Sequence, residues 1–123
     1  MSPAASPTDL HELFARVRVV PVVVVEDEAQ ALALGAALLD GGLPIAEITF
    51  RTAGARAAIA AVTRELPELV TGAGTVINAE QVDQAVDAGA RFLVSPGLSA
   101  DVDRKSTRLN SSHRPLSRMP SSA

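Results

Sequence analysis

The sequence predicts an α/β protein in which parallel strands alternate with helices. Apolar runs of strand length are separated by helical patterns, and these runs end near residues 25, 50, 75 and 95. The composition is 47% hydrophobic but only 2% aromatic, which favours Ala-rich helices packed closely on a Val-rich sheet. This βα period fits a parallel sheet that is either open or closed into a barrel.

The first two elements are predicted to be a short helix and a valine-rich strand. Residues 8–16 place Leu10 and Phe14 at helical spacing, so they are expected to form an amphipathic lead helix. Residues 19–25 have the composition of a strand that is buried on both faces. Pro21 lacks an N–H and is therefore expected at the beginning of this strand or at the edge of the sheet.

Capping residues mark the ends of the three helices that follow. A capping box begins at Asp27, and Gly41 and Gly42 end the helix with left-handed conformations. Pro67 ends the next helix, and Asn78 caps the last one. The helices are predicted at 27–40, 53–66 and 78–88, and the strands between and after them at 45–50, 69–75 and 92–95.

Polar side chains recur at the ends of the predicted strands. Glu47, Thr49 and Arg51 alternate along the chain, so an extended strand would present all three on one face. Thr75 and Ser95 close the next two strands. Because burying such groups is costly unless they have partners or a task, we predict that they line one functional pocket.

Composition excludes several kinds of site. The chain has 123 residues, enough for one small domain, and no cysteine, which excludes disulfides and thiolate zinc sites and fits a cytoplasmic protein. The first residues lack a signal-peptide pattern, and no apolar run is long enough to cross a membrane. The histidines give no metal signal, and no Walker loop or dinucleotide fingerprint is present. We therefore expect no cofactor.

Residues 103–123 differ from the rest of the chain in charge and periodicity. They hold five basic residues and one acid, a charge of +4, so the formal net charge of −3 leaves −7 on residues 1–102. Helix and strand periods stop at Asp103, and the text from there to Ala123 resembles the translation of a short-read sequencing adapter. We therefore interpret 103–123 as a non-native, disordered tail and 1–102 as the informative part. The alternative is a genuine basic arm that would suit a nucleic acid.

Four segments of the informative part resemble one enzyme family. PVVVVEDEAQAL, GGLPIAEITFRT, ELPELVTGAGTV and DAGARFLVSPG are similar, in order and spacing, to the 2-keto-3-deoxy-6-phosphogluconate (KDPG) and 4-hydroxy-2-oxoglutarate (KHG) aldolases. The resemblance covers residues 19–98. It implies the first four βα units of a (β/α)8 TIM barrel, truncated about halfway, and a homotrimer in the full-length form.

The resemblance also implies a chemistry and the residues that perform it. A class I aldolase of this kind cleaves KDPG to pyruvate and glyceraldehyde 3-phosphate through an imine with a lysine. Glu47 would serve as general acid/base, while Arg51 and Thr75 would bind the pyruvyl carboxylate. A buried carboxyl has a raised pKa, which supports the role of Glu47 independently. The alternative is that Glu47 is a buried ion-pair partner of Arg51.

Four further residues are expected around the same site. Gly74 lacks a side chain and lets backbone N–H groups approach a ligand. Thr49 is expected to face inward and to supply supporting hydrogen bonds. Ser95 and Pro96 resemble the family's pocket wall beneath the substrate, although the triplet SPG is also an ordinary turn.

One departure from the family puts the activity of this chain in doubt. Its only lysine is Lys105, inside the adapter-like segment, and the family's imine-forming lysine and phosphate-binding loops belong to the second half. We therefore expect an inactive chain that folds poorly, because a half barrel exposes sheet edges and an apolar face. Two alternatives remain open: a sister aldolase for the phosphogalactonate epimer or for KHG, and a non-enzymatic α/β binding module with a basic arm. For the aldolase, neither nucleic acid nor membrane is expected as a partner.

Overall fold

The computed structural model describes residues 7–95, 104 and 117–120. Within this part of the chain, helices and strands alternate as predicted, and the strands form one parallel sheet in chain order, β1-β2-β3-β4-β5. The elements are α1 (Pro7–Val17), β1 (Val22–Val23), α2 (Glu28–Asp40), β2 (Ile45–Thr49), α3 (Ala55–Glu65), β3 (Val70–Gly74), α4 (Ala79–Ala88), β4 (Phe92–Ser95) and β5 (Ser117–Pro120). The described helices are all too short to span a membrane.

Strand register sets which side chains share a face of the sheet. Val22 pairs with Glu47, Glu47 with Gly72, and Gly72 with Phe92, so these residues form one row across four strands. Residues in one row of a parallel sheet point to the same side. We call this side, which carries Ile45, Glu47 and Phe92, the inner face.

The two faces of the sheet are covered by different helices. On the outer face, buried apolar residues of β2, β3 and β4 pack with α2, α3 and α4 in the larger core cluster. On the inner face, Ile45, Phe92 and Val94 form a second cluster with Leu13 of α1. The ring of Phe14 meets that of Phe92 edge-on, with centroids 5.4 Å apart and an interplanar angle of 87°. Helix α1 therefore covers part of the inner face.

The predicted caps of α2 and α4 are confirmed, and both helices begin in the same way. Asp27 Oδ1 accepts a hydrogen bond from the Gln30 N–H at 2.8 Å, and Asn78 Oδ1 accepts one from the Gln81 N–H at 2.8 Å. Each glutamine side chain also accepts a hydrogen bond from the backbone N–H that precedes the cap residue, at 2.7 Å. These bonds satisfy N–H groups that a helix end leaves without intrahelical partners.

Glycines end the same helices. Gly89 follows α4 with a φ of 107° and is a left-handed cap. After α2 only Gly42 adopts a positive φ, of 82°, whereas Gly41 stays right-handed at −81°. The expectation that both glycines are left-handed is therefore corrected: one such residue is enough to turn the chain toward β2.

The first strand differs from its prediction. The sequence favours a strand over residues 19–25 that is buried on both faces, but β1 contains two residues and Val22 is 60% exposed. Pro21 cannot donate to a ladder and precedes β1, as predicted. In the described sheet β1 has a neighbour on one side, so an edge position replaces the expected burial.

The chain beyond Asp103 also differs in part from its prediction. No regular structure is expected there, yet Ser117–Pro120 forms β5 and pairs in parallel with β4. Backbone hydrogen bonds to an open strand edge require no side-chain pattern, so sequence periodicity does not reveal such a strand. The adapter origin of this segment stays a prediction.

Candidate functional site

Glu47 is a buried carboxyl in the middle of β2. Every residue of this strand is buried, and Glu47 is 7% exposed on the inner face. Burial raises its pKa above the ordinary value, while the positive charge of Arg51 lowers the pKa by a smaller amount. A raised pKa brings a carboxyl closer to the range in which it can serve as both acid and base, which is what proton transfer needs.

The glycines of β3 make room for two side chains of the inner face. A Cβ on Gly74 would lie 2.7 Å from Glu47 Cδ and would overlap Glu47 Oε2. A Cβ on Gly72 would overlap the ring of Phe92 in the same way. The carboxyl of Glu47 therefore lies over β3, directly against the backbone of Gly74. This is a second reason for glycine at position 74, beyond the predicted backbone approach to a ligand.

Thr75 follows Gly74 in a backbone conformation that is unusual for its residue type. Its φ is 56°, and a β-branched residue in the left-handed region is strained. The flanking residues are fixed: the Phe50 N–H donates to Gly74 O at 2.9 Å, and the Val76 N–H donates to Val94 O at 3.1 Å. Its side chain is half-buried. Such strain is often retained where a side chain must meet a ligand.

Thr49 is placed where the sequence predicts it, on the inner face. It is 2% exposed, and its Oγ1 donates to Val23 O over a long 3.5 Å. The hydroxyl therefore connects β2 to the preceding segment of the sheet, which fits the supporting role that we predicted.

Arg51 lies outside the strand, which corrects its predicted position. Strand β2 ends at Thr49, so the alternation of faces does not extend to Arg51, and its side chain is exposed in the turn before α3. No ion pair with Glu47 forms within 4.0 Å among the described residues. The alternative of a buried Glu47–Arg51 pair is therefore not what the structure shows. The guanidinium remains close enough to influence the pKa of Glu47.

The structure does not bring Ser95 to the face that carries Glu47. Phe92 and Val94 belong to the inner cluster and Leu93 to the outer one, so strand alternation puts Ser95 on the outer side. Its side chain is half-buried there. Pro96, the other residue predicted to form the pocket wall, lies outside the described residues.

Two residues of the Arg51 turn escaped sequence reasoning. Thr52 Oγ1 donates to Val25 O at 2.7 Å, and a Cβ on Gly54 would overlap Glu26 O. A hydroxyl residue just before a predicted helix suggests an N-cap, but the N-cap of α3 is Gly54 and makes no side-chain cap bond. Thr52 instead donates its hydrogen bond to Val25 O, in the segment between β1 and α2. No local sequence pattern predicts this contact.

Together these residues can transfer a proton beside an anion. Glu47 supplies a titratable carboxyl, Arg51 supplies a nearby cation, and Thr75 supplies a hydroxyl at the adjoining strand end. In the described part of the chain no three His, Cys, Asp or Glu side chains gather as a metal site. The arrangement suits a substrate with a carboxylate next to the atom that gains or loses a proton.

Comparisons with known proteins agree on one family. Residues 10–121 match the sequence model of the aldolases described as KDPG and KHG aldolase. A 2-dehydro-3-deoxy-phosphogluconate aldolase of Zymomonas mobilis is 46% identical over 96 residues, which are 78% of this chain and 46% of that protein. A KHG/KDPG aldolase of Escherichia coli K12 is 43% identical over 89 residues, 72% of this chain and 42% of that protein.

A solved structure shows the same fold. The KDPG aldolase of Legionella pneumophila, crystallised with pyruvate captured at low pH as a covalent carbinolamine intermediate, superposes with a TM-score of 0.77 at 36% identity. The match covers 91% of this chain and 52% of that chain. The described part is therefore a partial α/β fold close to a TIM barrel, and the chain spans about half the length of the relatives that it matches.

Proposed function

Because this chain belongs to the KDPG and KHG aldolase family, we propose that it carries the proton-transfer and carboxylate-binding half of a class I aldolase site. The full-length enzyme would cleave KDPG to pyruvate and glyceraldehyde 3-phosphate. The observation that carries the proposal is the buried Glu47 carboxyl, which lies against Gly74 beside the strained Thr75.

In this proposal Glu47 moves the protons of the reaction. Burial raises its pKa toward the range in which a carboxyl can both donate a proton and take it back. Imine formation releases water from the substrate carbonyl and needs an acid, whereas cleavage of the carbon–carbon bond needs a base at the adjacent hydroxyl. One carboxyl in alternating protonation states can serve both steps.

Arg51 and Thr75 would hold the carboxylate of the 2-oxo acid. The exposed guanidinium presents a planar fork that can bind both carboxylate oxygens. Thr75 is half-buried at the next strand end, where its hydroxyl can reach the same group. Thr49 and Gly74 then act indirectly, since one supports β2 and the other leaves room for Glu47.

The nucleophile is the part of the proposed site that the described residues do not supply. The only lysine is Lys105, outside the described residues, and the chain covers 46% of its Zymomonas mobilis relative. We therefore propose that the 123-residue chain binds pyruvate without catalysing cleavage. Borohydride trapping with pyruvate, followed by mass spectrometry, tests this: an adduct at Lys105 accompanied by turnover of KDPG would contradict it. Cytoplasmic location and homotrimer formation stay predictions for the full-length protein.

Pyruvate binding tests the carboxylate site directly. We expect pyruvate to shift the backbone amide signals of residues 47–52 and 74–76 in NMR spectra of the chain, and Arg51→Gln to weaken binding about tenfold. Arg56→Gln is the matched control, because Arg56 is exposed on α3 and plays no part in the site. Equal affinity of both variants, or shifts confined to other residues, would refute the assignment.

A second substrate fits the same site. The relative from Escherichia coli carries both activities in its name, KHG/KDPG aldolase, and is 43% identical. KHG has the same 2-oxo acid end as KDPG but no phosphate, so the residues described here cannot discriminate between them. Turnover of KDPG, its phosphogalactonate epimer and KHG by the full-length gene product would rank the three substrates.

A further inference from the structure

The turn that carries Arg51 is held at one end by the segment after β1 and at the other by the end of β3. On one side Thr52 Oγ1 donates to Val25 O at 2.7 Å, and Gly54 lies so close to Glu26 O that a side chain would not fit. On the other side the Phe50 N–H donates to Gly74 O at 2.9 Å. The turn therefore bridges the segment after β1 and the end of β3.

The Thr52 bond continues a connection that the sheet itself does not provide. Strand β1 ends at Val23, and its pairing with β2 stops at Ile48. Val25 lies two residues further on and is 1% exposed. A carbonyl in such a position needs a donor from somewhere other than water. The Thr52 hydroxyl is that donor. Its bond to Val25 O holds the turn in place beyond the last backbone pair of β1 and β2.

We propose that Thr52 is a positioning residue for the site: by bonding to Val25 O it fixes where the Arg51 guanidinium stands relative to Glu47. This inference rests on the proposed function only in that the proposed function names the ligand of Arg51. The hydrogen bond from Thr52 would fix the position of Arg51 whatever that ligand is. Thr52 touches neither substrate nor reacting atoms, and it acts through its neighbour in the chain.

Glu47 offers a readout of that position which does not depend on catalysis. Among the described residues, Arg51 is the charged group whose field acts on the Glu47 carboxyl. If the turn shifts and the guanidinium moves away, the stabilisation of the ionised carboxyl falls and the pKa of Glu47 rises further. Isotope-edited NMR of the glutamate carboxyl carbons in the 123-residue chain follows this titration residue by residue.

The experiment compares Thr52→Val with two matched variants. Thr52→Val keeps the shape but removes the donor, so we expect the pKa of Glu47 to rise and pyruvate affinity to fall about tenfold. Thr52→Ser retains the donor and should restore both. Thr63→Val is the control for the same change elsewhere, because the buried Thr63 hydroxyl has no hydrogen-bond partner among the described residues.

Each outcome of this experiment either supports or overturns the positioning role of Thr52. A folded Thr52→Val chain whose Glu47 titrates like that of Thr63→Val would overturn the inference. If Thr52→Val does not fold, Thr52→Ala removes the same donor with a smaller side chain, and an unchanged pKa of Glu47 there would overturn the inference equally. If the unmodified chain does not bind pyruvate, the proposed function fails, while the Glu47 titration of Thr52→Val against Thr52→Ser still decides the role of Thr52.

Discussion

At the scale of single residues, the site depends on an empty space beside a carboxyl. Glu47 can lie over β3 only because Gly74 has no Cβ, and the neighbouring Gly72 gives Phe92 the same freedom. The absence of a Cβ at both glycines therefore leaves the room that the side chains of Glu47 and Phe92 occupy on the inner face.

Gly74→Ala should displace the carboxyl of Glu47. Because the new methyl group would overlap Oε2, we expect a loss of about 1–3 kcal/mol in the free energy of unfolding, measured by urea denaturation. Gly41→Ala is the control, since its added Cβ would meet atoms no closer than 3.5 Å. In the background of Glu47→Ala the cost of Gly74→Ala should fall, and an undiminished cost there would contradict this packing.

Glu47 should also make stability depend on pH. Its pKa is raised above the ordinary value of 4.5, so the folded chain binds this proton more tightly than the unfolded chain does. The resulting stabilisation is complete below pH 4.5 and is lost as the pH rises through the raised pKa. Glu47→Gln should therefore gain stability relative to the unmodified chain over this interval, as measured by urea denaturation at several pH values.

The control for this comparison is Glu68→Gln, an exposed carboxyl in the loop before β3. Its stability difference from the unmodified chain should not follow the same curve. A pH-independent difference for Glu47→Gln would show that Glu47 titrates like a solvated carboxyl.

The sequence predicted which residues belong to the site better than it predicted where their side chains point. It predicted Glu47 and Thr49 on one face because alternation within a strand is a local rule, and both lie there. It misplaced Arg51, because nothing in the sequence ITFRT shows that the strand stops at Thr49. Thr52 was missed since its partner, Val25, lies 27 residues earlier in the chain.

At the scale of elements, the helices cover both faces of the sheet, and two of them, α2 and α4, begin with the same cap chemistry. The pairs Asp27–Gln30 and Asn78–Gln81 show the same hydrogen-bond pattern after two different strands. These local patterns involve residues within four positions of one another, which is why the sequence predicted the helices well. Strand β1 depends on neighbours across the sheet and was predicted less well.

Asn78→Ala should weaken the start of α4. The side chain accepts the Gln81 N–H at 2.8 Å, and loss of such a cap costs about 1 kcal/mol of unfolding free energy. Asn78→Ser retains an acceptor and should recover most of that loss in the same thermal or urea measurement. Equal stability of the alanine and serine variants would show that the cap contributes nothing.

Phe14→Ala should loosen α1 from the inner face. The ring packs edge-on against Phe92 at 5.4 Å and is half-buried, so we expect a loss of about 2–3 kcal/mol in unfolding free energy. His11→Ala, on the exposed side of the same helix, should change stability by less than about 0.5 kcal/mol. If both variants unfold at the same urea concentration, α1 does not stabilise the sheet.

At the scale of the whole molecule, the described sheet is open along β1. Val22 and Val24 are 60% and 49% exposed, and Val19 just before them is 57% exposed. An unpaired edge strand with apolar side chains favours association with other chains. The family match indicated a partial barrel, but only the structure shows where its apolar surface is uncovered.

Val22→Lys should reduce self-association of the chain without a large loss of stability. The side chain is 60% exposed, so its removal costs little burial, while a charge at the edge opposes pairing with a second chain. Sedimentation velocity at rising concentration measures the effect, and Ile77→Lys, equally exposed but after β3, serves as control. If both lysine variants associate to the same extent as the unmodified chain, the β1 edge is not the contact surface.

The left-handed backbone of Thr75 sets this position apart in any attempt to make the protein more heat-resistant. Glycine relieves the steric cost of a φ of 56°, by roughly 1 kcal/mol or more, so a selection for thermal tolerance alone would favour Thr75→Gly. A selection that also demands pyruvate binding would keep threonine. The residue found at position 75 after selection would therefore show whether heat resistance alone, or pyruvate binding as well, had been selected.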